Sequence, residues 1–151
     1  MEKRTHIRIY ISKHVNAPDE HLQTVIAGCK VFGIDPLYHV KGSTYDKYMV
    51  KNAHIVIIIP WYDEDFFKLG KGTVFEYDLA KTYESQVVFY NRVSKKLQAI
   101  PGMTPMKGEG IHFMGLLKPG GESVDMGDLI EKAKQSDRPF YEPTDNPSGV
   151  V

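Results

Sequence analysis

Ile55-Val-Ile-Ile-Ile-Pro60 decides the fold of this chain. Read from His54, the run has no polar alternation, as expected of a central parallel strand buried on both faces. Upstream, Gly42-Ser43-Thr44 is a turn that opens a short helix over Tyr45 to Asn52, and Pro36-Leu-Tyr-His-Val40 is a short strand. Asp19 to Phe32 carries Leu22, Val25, Ile26, Cys29 and then Val31 or Phe32. Spacings of three and four mark an amphipathic helix, and Gly33 stands where a helix C-cap belongs. Ile7-Arg-Ile-Tyr-Ile-Ser12 is rich in β-branched residues and reads as the first strand.

Downstream, Trp61 to Lys71 reads as a loop of acids and aromatics. Thr73 to Tyr83 reads as a helix with Phe75, Leu79 and Tyr83 on one stripe, and Gln86-Val-Val-Phe-Tyr90 as a fourth strand. The order β-α-β-α-β-α-β predicts a parallel sheet covered by helices on both faces. The expected class is α/β, a Rossmann-like or flavodoxin-like three-layer sandwich with a mostly parallel sheet of about five strands. Ser94 to Gly110 reads as a loop or lid, Ile111 to Leu117 as the fifth strand, and Ser123 to Gln135, from Met126 onward, as a last helix. One domain over 1–136 and an extended or disordered tail over 137–151 complete the expectation.

With 151 residues the chain suits one domain with a core of its own. Apolar residues make up 42% and charged residues 25%, which argues against general disorder. Its 19 basic and 19 acidic residues cancel, so composition offers no case for nucleic acid or an anionic membrane as partner. A single cysteine, Cys29, excludes an internal disulfide framework and suits a reducing, cytoplasmic compartment. Cys29 reads as a small buried helix residue with no basic or His partner nearby in sequence. The N-terminus enters a strand pattern without a secretory signal. The apolar run over 53–60 is too short to span a bilayer.

Chemistry is concentrated in Leu69-Gly-Lys-Gly-Thr-Val-Phe-Glu-Tyr-Asp-Leu-Ala80. It follows the apolar strand, and ligands of parallel α/β folds bind at the carboxyl ends of strands. Gly70 and Gly72 allow close backbone approach to a ligand, and amides at a helix N-terminus favour anions. The segment lacks the Gly-Lys-Ser/Thr ending of a phosphate-binding loop, and no dinucleotide fingerprint follows the first strand. Glu76 is the candidate reactive carboxylate. Its structural alternative is a capping box, Thr73-x-x-Glu76, with Thr73 as the cap. Asp46, opening the preceding helix, is the candidate second carboxylate, or else a complement to that helix dipole. Tyr10 and Ser12 stand at the carboxyl edge of the first strand. Trp61 begins an aromatic loop that also holds Asp63, Glu64 and Asp65. No His-x-x-x-His spacing or comparable ligand set predicts a metal, and no cofactor is expected.

These residues resemble the nucleoside 2-deoxyribosyltransferase-like superfamily, which includes the 2'-deoxynucleoside 5'-phosphate N-hydrolases. The likeness covers about Ile7 to Tyr90. It rests on Arg8-Ile-Tyr-Ile-Ser12, on Asp46 ahead of Ala53-His54, on the apolar strand, and on Gly70-x-Gly-Thr-x-x-Glu76-x-x-x-Ala80. The resemblance implies that Glu76 attacks C1' of a deoxyribosyl group, that Asp46 assists departure of the base, and that Tyr10 lines the pocket. It also implies that Ser12, Gly70, Gly72 and Thr73 hold sugar or phosphate oxygens. A retaining mechanism places such carboxylates about 5 Å apart. Family members often carry an aspartate where this chain has Gly70, and a Gly-Ser pair where it reads Ser12-Lys-His. The implied partner is a small nucleoside or nucleotide, and the implied assembly is a homodimer or larger, with Met103–Gly110 or the tail reaching a neighbour's pocket. Two alternatives stand beside this reading: a non-catalytic domain that binds a nucleotide or an ADP-ribose-like signal, and an NAD-cleaving enzyme related to TIR domains.

Overall fold

The β-branched segments pair as the apolar patterning requires. A computed structural model describes residues 6–38, 46–63, 66–99, 104–108, 110–116 and 122–136; at 46, 47, 63, 66, 71 and 104–116 it describes backbone alone. The expected Gly42–Thr44 turn and the 137–151 tail lie outside the described residues. In chain order the elements are β1 (Ile9–Lys13), α1 (Asp19–Lys30), β2 (Leu37–Tyr38), α2 (Asp46–Asn52), β3 (Ile55–Ile59), β4 (Trp61–Asp63) and β5 (Phe66–Lys68). They continue with α3 (Lys71–Thr82), β6 (Gln86–Asn91), β7 (Lys96–Ala99), β8 (Thr104–Gly108), β9 (Gly110–Leu116), β10 (Ser123–Val124) and α4 (Met126–Lys134).

The main sheet has six strands in the order β10-β7-β6-β3-β1-β2. β2, β1, β3 and β6 run parallel, while β7 is antiparallel to β6 and to β10. All five residues of β3 are fully buried, which is why no polar residue interrupts the run. Strand alternation divides the core. Ile9, Ile11, Ile55, Ile57 and Ile59 pack with Leu22, Val25, Ile26 and Cys29 of α1 and with Leu129, Ile130 and Ala133 of α4. Tyr10, Val56, Ile58 and Phe89 face the other way, toward Val50 of α2 and Val74 and Ala80 of α3. Helices thus cover both faces, and the fold is α/β of a Rossmann-like kind.

Several expectations are corrected. The main sheet has six strands, and the fifth neighbour is β7, within the stretch read as a loop or lid. The segment read as the fifth strand, β9, belongs to a second, four-stranded sheet ordered β4-β5-β9-β8. The stretch read as an aromatic loop supplies two of its strands: Trp61 pairs with Lys68, and Lys68 with Met114. These strands have three residues each, and the sheet that holds them is completed only by the distant β9, so local patterning carries little of them. On α3, Phe75 is 57% exposed, whereas Val74 and Ala80 are buried, so the core face is not the Phe75 stripe. α1 ends at Lys30 and turns through Gly33, whose φ of 74° suits glycine.

Among the described residues, no helix is long and apolar enough to cross a membrane.

Candidate active site

In the parallel part of the sheet, β1 has β2 on one side and β3 on the other. The chain therefore reverses its winding direction between β1 and β3. A crevice opens beyond the carboxyl ends at such a switch point, and this is the usual place for a ligand in an open α/β sheet. β1 delivers Tyr10 and Ser12 toward it on one face, because residues two apart share a side of a strand. Tyr10 is fully buried and Ser12 is 1% exposed.

α3 supplies the partner. Tyr10 donates its hydroxyl to Glu76 Oε2 at 2.7 Å, and Ser12 Oγ donates to Glu76 Oε1 at 2.6 Å. Glu76 itself is half-buried. One hydroxyl on each oxygen fixes the plane of the carboxylate and uses both oxygens as acceptors, the role an ionised carboxylate fills. Two hydroxyls thus hold one half-buried carboxylate, and the helix starts without it.

The capping-box reading is overturned. α3 starts at Lys71 with Gly70 as N-cap and no side-chain cap. Val74 N donates to Gly70 O at 2.9 Å, the first helical bond. Thr73 is therefore inside the first turn, where it is 5% exposed. Glu76 falls in the second turn rather than the first, and it turns its side chain to β1.

The remaining candidates lie as follows. Gly70 packs against His14: a Cβ built at position 70 would meet the ring's Cδ2 and Nε2 at 3.4 Å. Gly72 faces open space. Trp61 is half-buried at the exit of β3, with its ring centroid 5.9 Å from that of His14 and Lys68 Nζ 5.1 Å from its centre. Asp46 is the first residue of α2, and α2 packs beside α3. The side chain of Asp46 lies outside the described residues, as do Glu64, Asp65 and the side chain of Asp63.

His14 was not singled out from sequence, although its place two residues after Ser12 is the signal that could have found it. Lys13 ties the same corner down, its Nζ donating to Ala17 O at 2.7 Å and His14 O at 3.1 Å. At the end of β6, buried Asn91 donates to Gln98 Oε1 and accepts from Val93 N at 2.8 Å, which organises the turn into β7. After Glu76, burial first and Asp78 second push the Tyr77 phenol above its ordinary range. Cys29 is fully buried and its thiol is pushed up to about 11 by that burial, which keeps it protonated and poorly nucleophilic near neutrality.

A cavity of about 350 Å³ lies elsewhere, lined by Thr24, Gly28, Tyr90, Leu97 and Asp125. Asp125 there is engaged as the N-cap of α4, and no carboxylate of that cavity is gripped as Glu76 is. The chemistry therefore favours the β1–α3 site over that hollow. Among the described residues no group of three His, Cys, Asp or Glu is placed to hold a metal ion. The chain matches no family model, no curated protein and no solved structure.

Proposed function

We propose that this protein cleaves the N-glycosidic bond of a deoxynucleoside or nucleotide, by hydrolysis or by transfer to a second base, with Glu76 as nucleophile. The observation that carries the reading is the grip of Tyr10 and Ser12 on the two oxygens of Glu76, at the strand switch point. A glycosyl carbon carries positive charge as its bond to the base breaks. A fixed carboxylate beside it stabilises that charge and then closes on C1'. Asp46, on the neighbouring helix, is the proposed proton source for the departing base. The residues of this reading are those of the deoxyribosyltransferase-like resemblance, on a flavodoxin-like three-layer sandwich. It places the enzyme in the cytoplasm as a homodimer or larger assembly, acting on a small molecule without a cofactor.

The test is a product assay over nucleosides, deoxynucleotides and NAD. Free base should appear with the wild type. Glu76→Gln should lower its rate by more than about 10³-fold, the scale on which loss of a nucleophile is felt. Tight binding of a nucleotide without turnover would replace this reading with that of a binding domain. Base release confined to NAD would point instead to the TIR-like alternative.

A further inference from the structure

Tyr10, Ser12 and His14 form one row along β1 and its continuation. His14 N donates to Ile59 O at 2.9 Å, so the pairing with β3 runs one residue past Lys13. Alternation then puts His14 on the Ser12 side, about 7 Å nearer the carboxyl edge at about 3.3 Å per residue. The first two members of the row hold Glu76. The third lies with its Nε2 edge against Gly70 and its ring beside Trp61.

Two details specify this imidazole. Gly70 has φ −74° and ψ 169°, a backbone conformation open to any residue, so turn geometry does not demand glycine there. The His14 ring is instead the nearest group that a Cβ there would meet, at ordinary contact distance. In addition, the Asn16 amide donates to His14 Nδ1 at 2.9 Å. With Nδ1 as acceptor, the proton of the neutral ring is on Nε2. The row thus ends in an N–H donor of fixed tautomer, on the face that holds Glu76 and next to an indole.

We infer that His14 contacts the leaving base, donating Nε2–H to an acceptor atom on it while Glu76 takes the sugar. This inference rests on the N-glycosidase reading. In the step, a Glu76 oxygen forms a bond to C1', the C1'–N bond breaks, and its electron pair stays on the base. The Nε2–H hydrogen bond stabilises the charge developing there. The imidazole keeps its proton, because Nδ1 is engaged by the Asn16 amide and takes up no replacement. The freed base gains its proton from a carboxyl group such as Asp46 or from water. Water then attacks C1', frees Glu76 and releases the balancing proton.

A leaving-group comparison tests this. His14→Phe keeps a ring against Trp61 and Gly70 but removes the donor; His14→Gln restores an N–H. The substrates are a 2'-deoxynucleoside, whose base leaves poorly, and 4-nitrophenyl 2-deoxyribofuranoside, whose phenolate leaves without help. His14→Phe should lower kcat about 10²-fold on the nucleoside and only about threefold on the nitrophenyl glycoside, the first figure being typical of one lost charge-stabilising donor. His14→Gln should recover part of the nucleoside rate. Should His14→Phe fail to fold, His14→Leu, which also lacks the donor, should give the same split. An equal loss on both substrates overturns the role of His14 and leaves the Glu76 reading standing. A wild type that cleaves neither substrate, or a Glu76→Gln variant that still cleaves, overturns the parent reading and this inference with it.

Discussion

Glu76 is joined to hydroxyls 66 and 64 positions away in the chain, those of Tyr10 and Ser12. No local pattern encodes such a meeting. Glu76, Tyr10 and Ser12 were each visible in the sequence as edge-of-strand or helix-start candidates, but their union was not. The local pattern also misassigned the cause, since Thr73-x-x-Glu76 has the form of a capping box while the helix begins earlier, at Lys71. Tyr10→Phe tests the grip in isolation, because it removes one oxygen from a fully buried ring. It should cost about 1–2 kcal/mol, at the low end for hydrogen bonds to a charged group because Glu76 is half exposed. Urea denaturation measures that cost, and an unchanged midpoint would show that the hydroxyl contributes nothing. Base release should fall along with stability if the carboxylate needs both donors to hold its plane.

Among the elements, those that bury a long apolar face were legible. β1, β3, β6, α1 and α4 lie close to their expected spans because their periodicity reports burial on the sheet. β4, β5, β7 and β8 have three to five residues each. They are too short to show a burial period, and they pair in tight hairpins, β4 with β5, β7 with β6 and β8 with β9. Among the described residues they are joined to distant strands only through β5–β9 and β7–β10, so composition alone read them as loop. α1 carries a further consequence in His21, which stacks on Tyr90 with ring centroids 5.3 Å apart. Burial pulls the His21 imidazole below its ordinary value; Glu20 opposes this, while Arg92 and Lys13 reinforce it. A depressed folded value means that the unfolded chain binds the proton first. Stability contributed by neutral His21 is therefore complete above the ordinary imidazole value of 6.5 and is lost as pH falls below it. Melting temperature recorded from pH 7 to pH 5 should drop for the wild type and drop less for His21→Leu. Parallel curves for the two proteins would rule this contribution out.

For the whole molecule, stability rests on the two apolar layers divided by the main sheet. Ile57 is fully buried in the layer that α1 and α4 cover. Ile57→Ala should cost about 2–5 kcal/mol, the transfer of the lost atoms plus the cavity they leave. Val93 is 59% exposed, and Val93→Ala should stay within about 0.5 kcal/mol. Guanidinium midpoints for the pair check whether burial sets the ranking; similar shifts would contradict it.

The two layers also differ in when they are complete during synthesis. Among the described residues, every buried side chain of the layer beneath α2 and α3 lies between Tyr10 and Phe89, as do Ser12 and Glu76. The opposite layer includes Leu129, Ile130 and Ala133. A ribosome releases the chain from its N-terminus, so the described side chains of the layer bearing the site are all made while α4 has yet to be. Until α4 emerges, the other face of the sheet lacks part of its cover. A nascent chain ending near Asn91 would hold Tyr10, Ser12 and Glu76 but present an incompletely covered apolar face where α4 belongs, the kind of surface that chaperones bind.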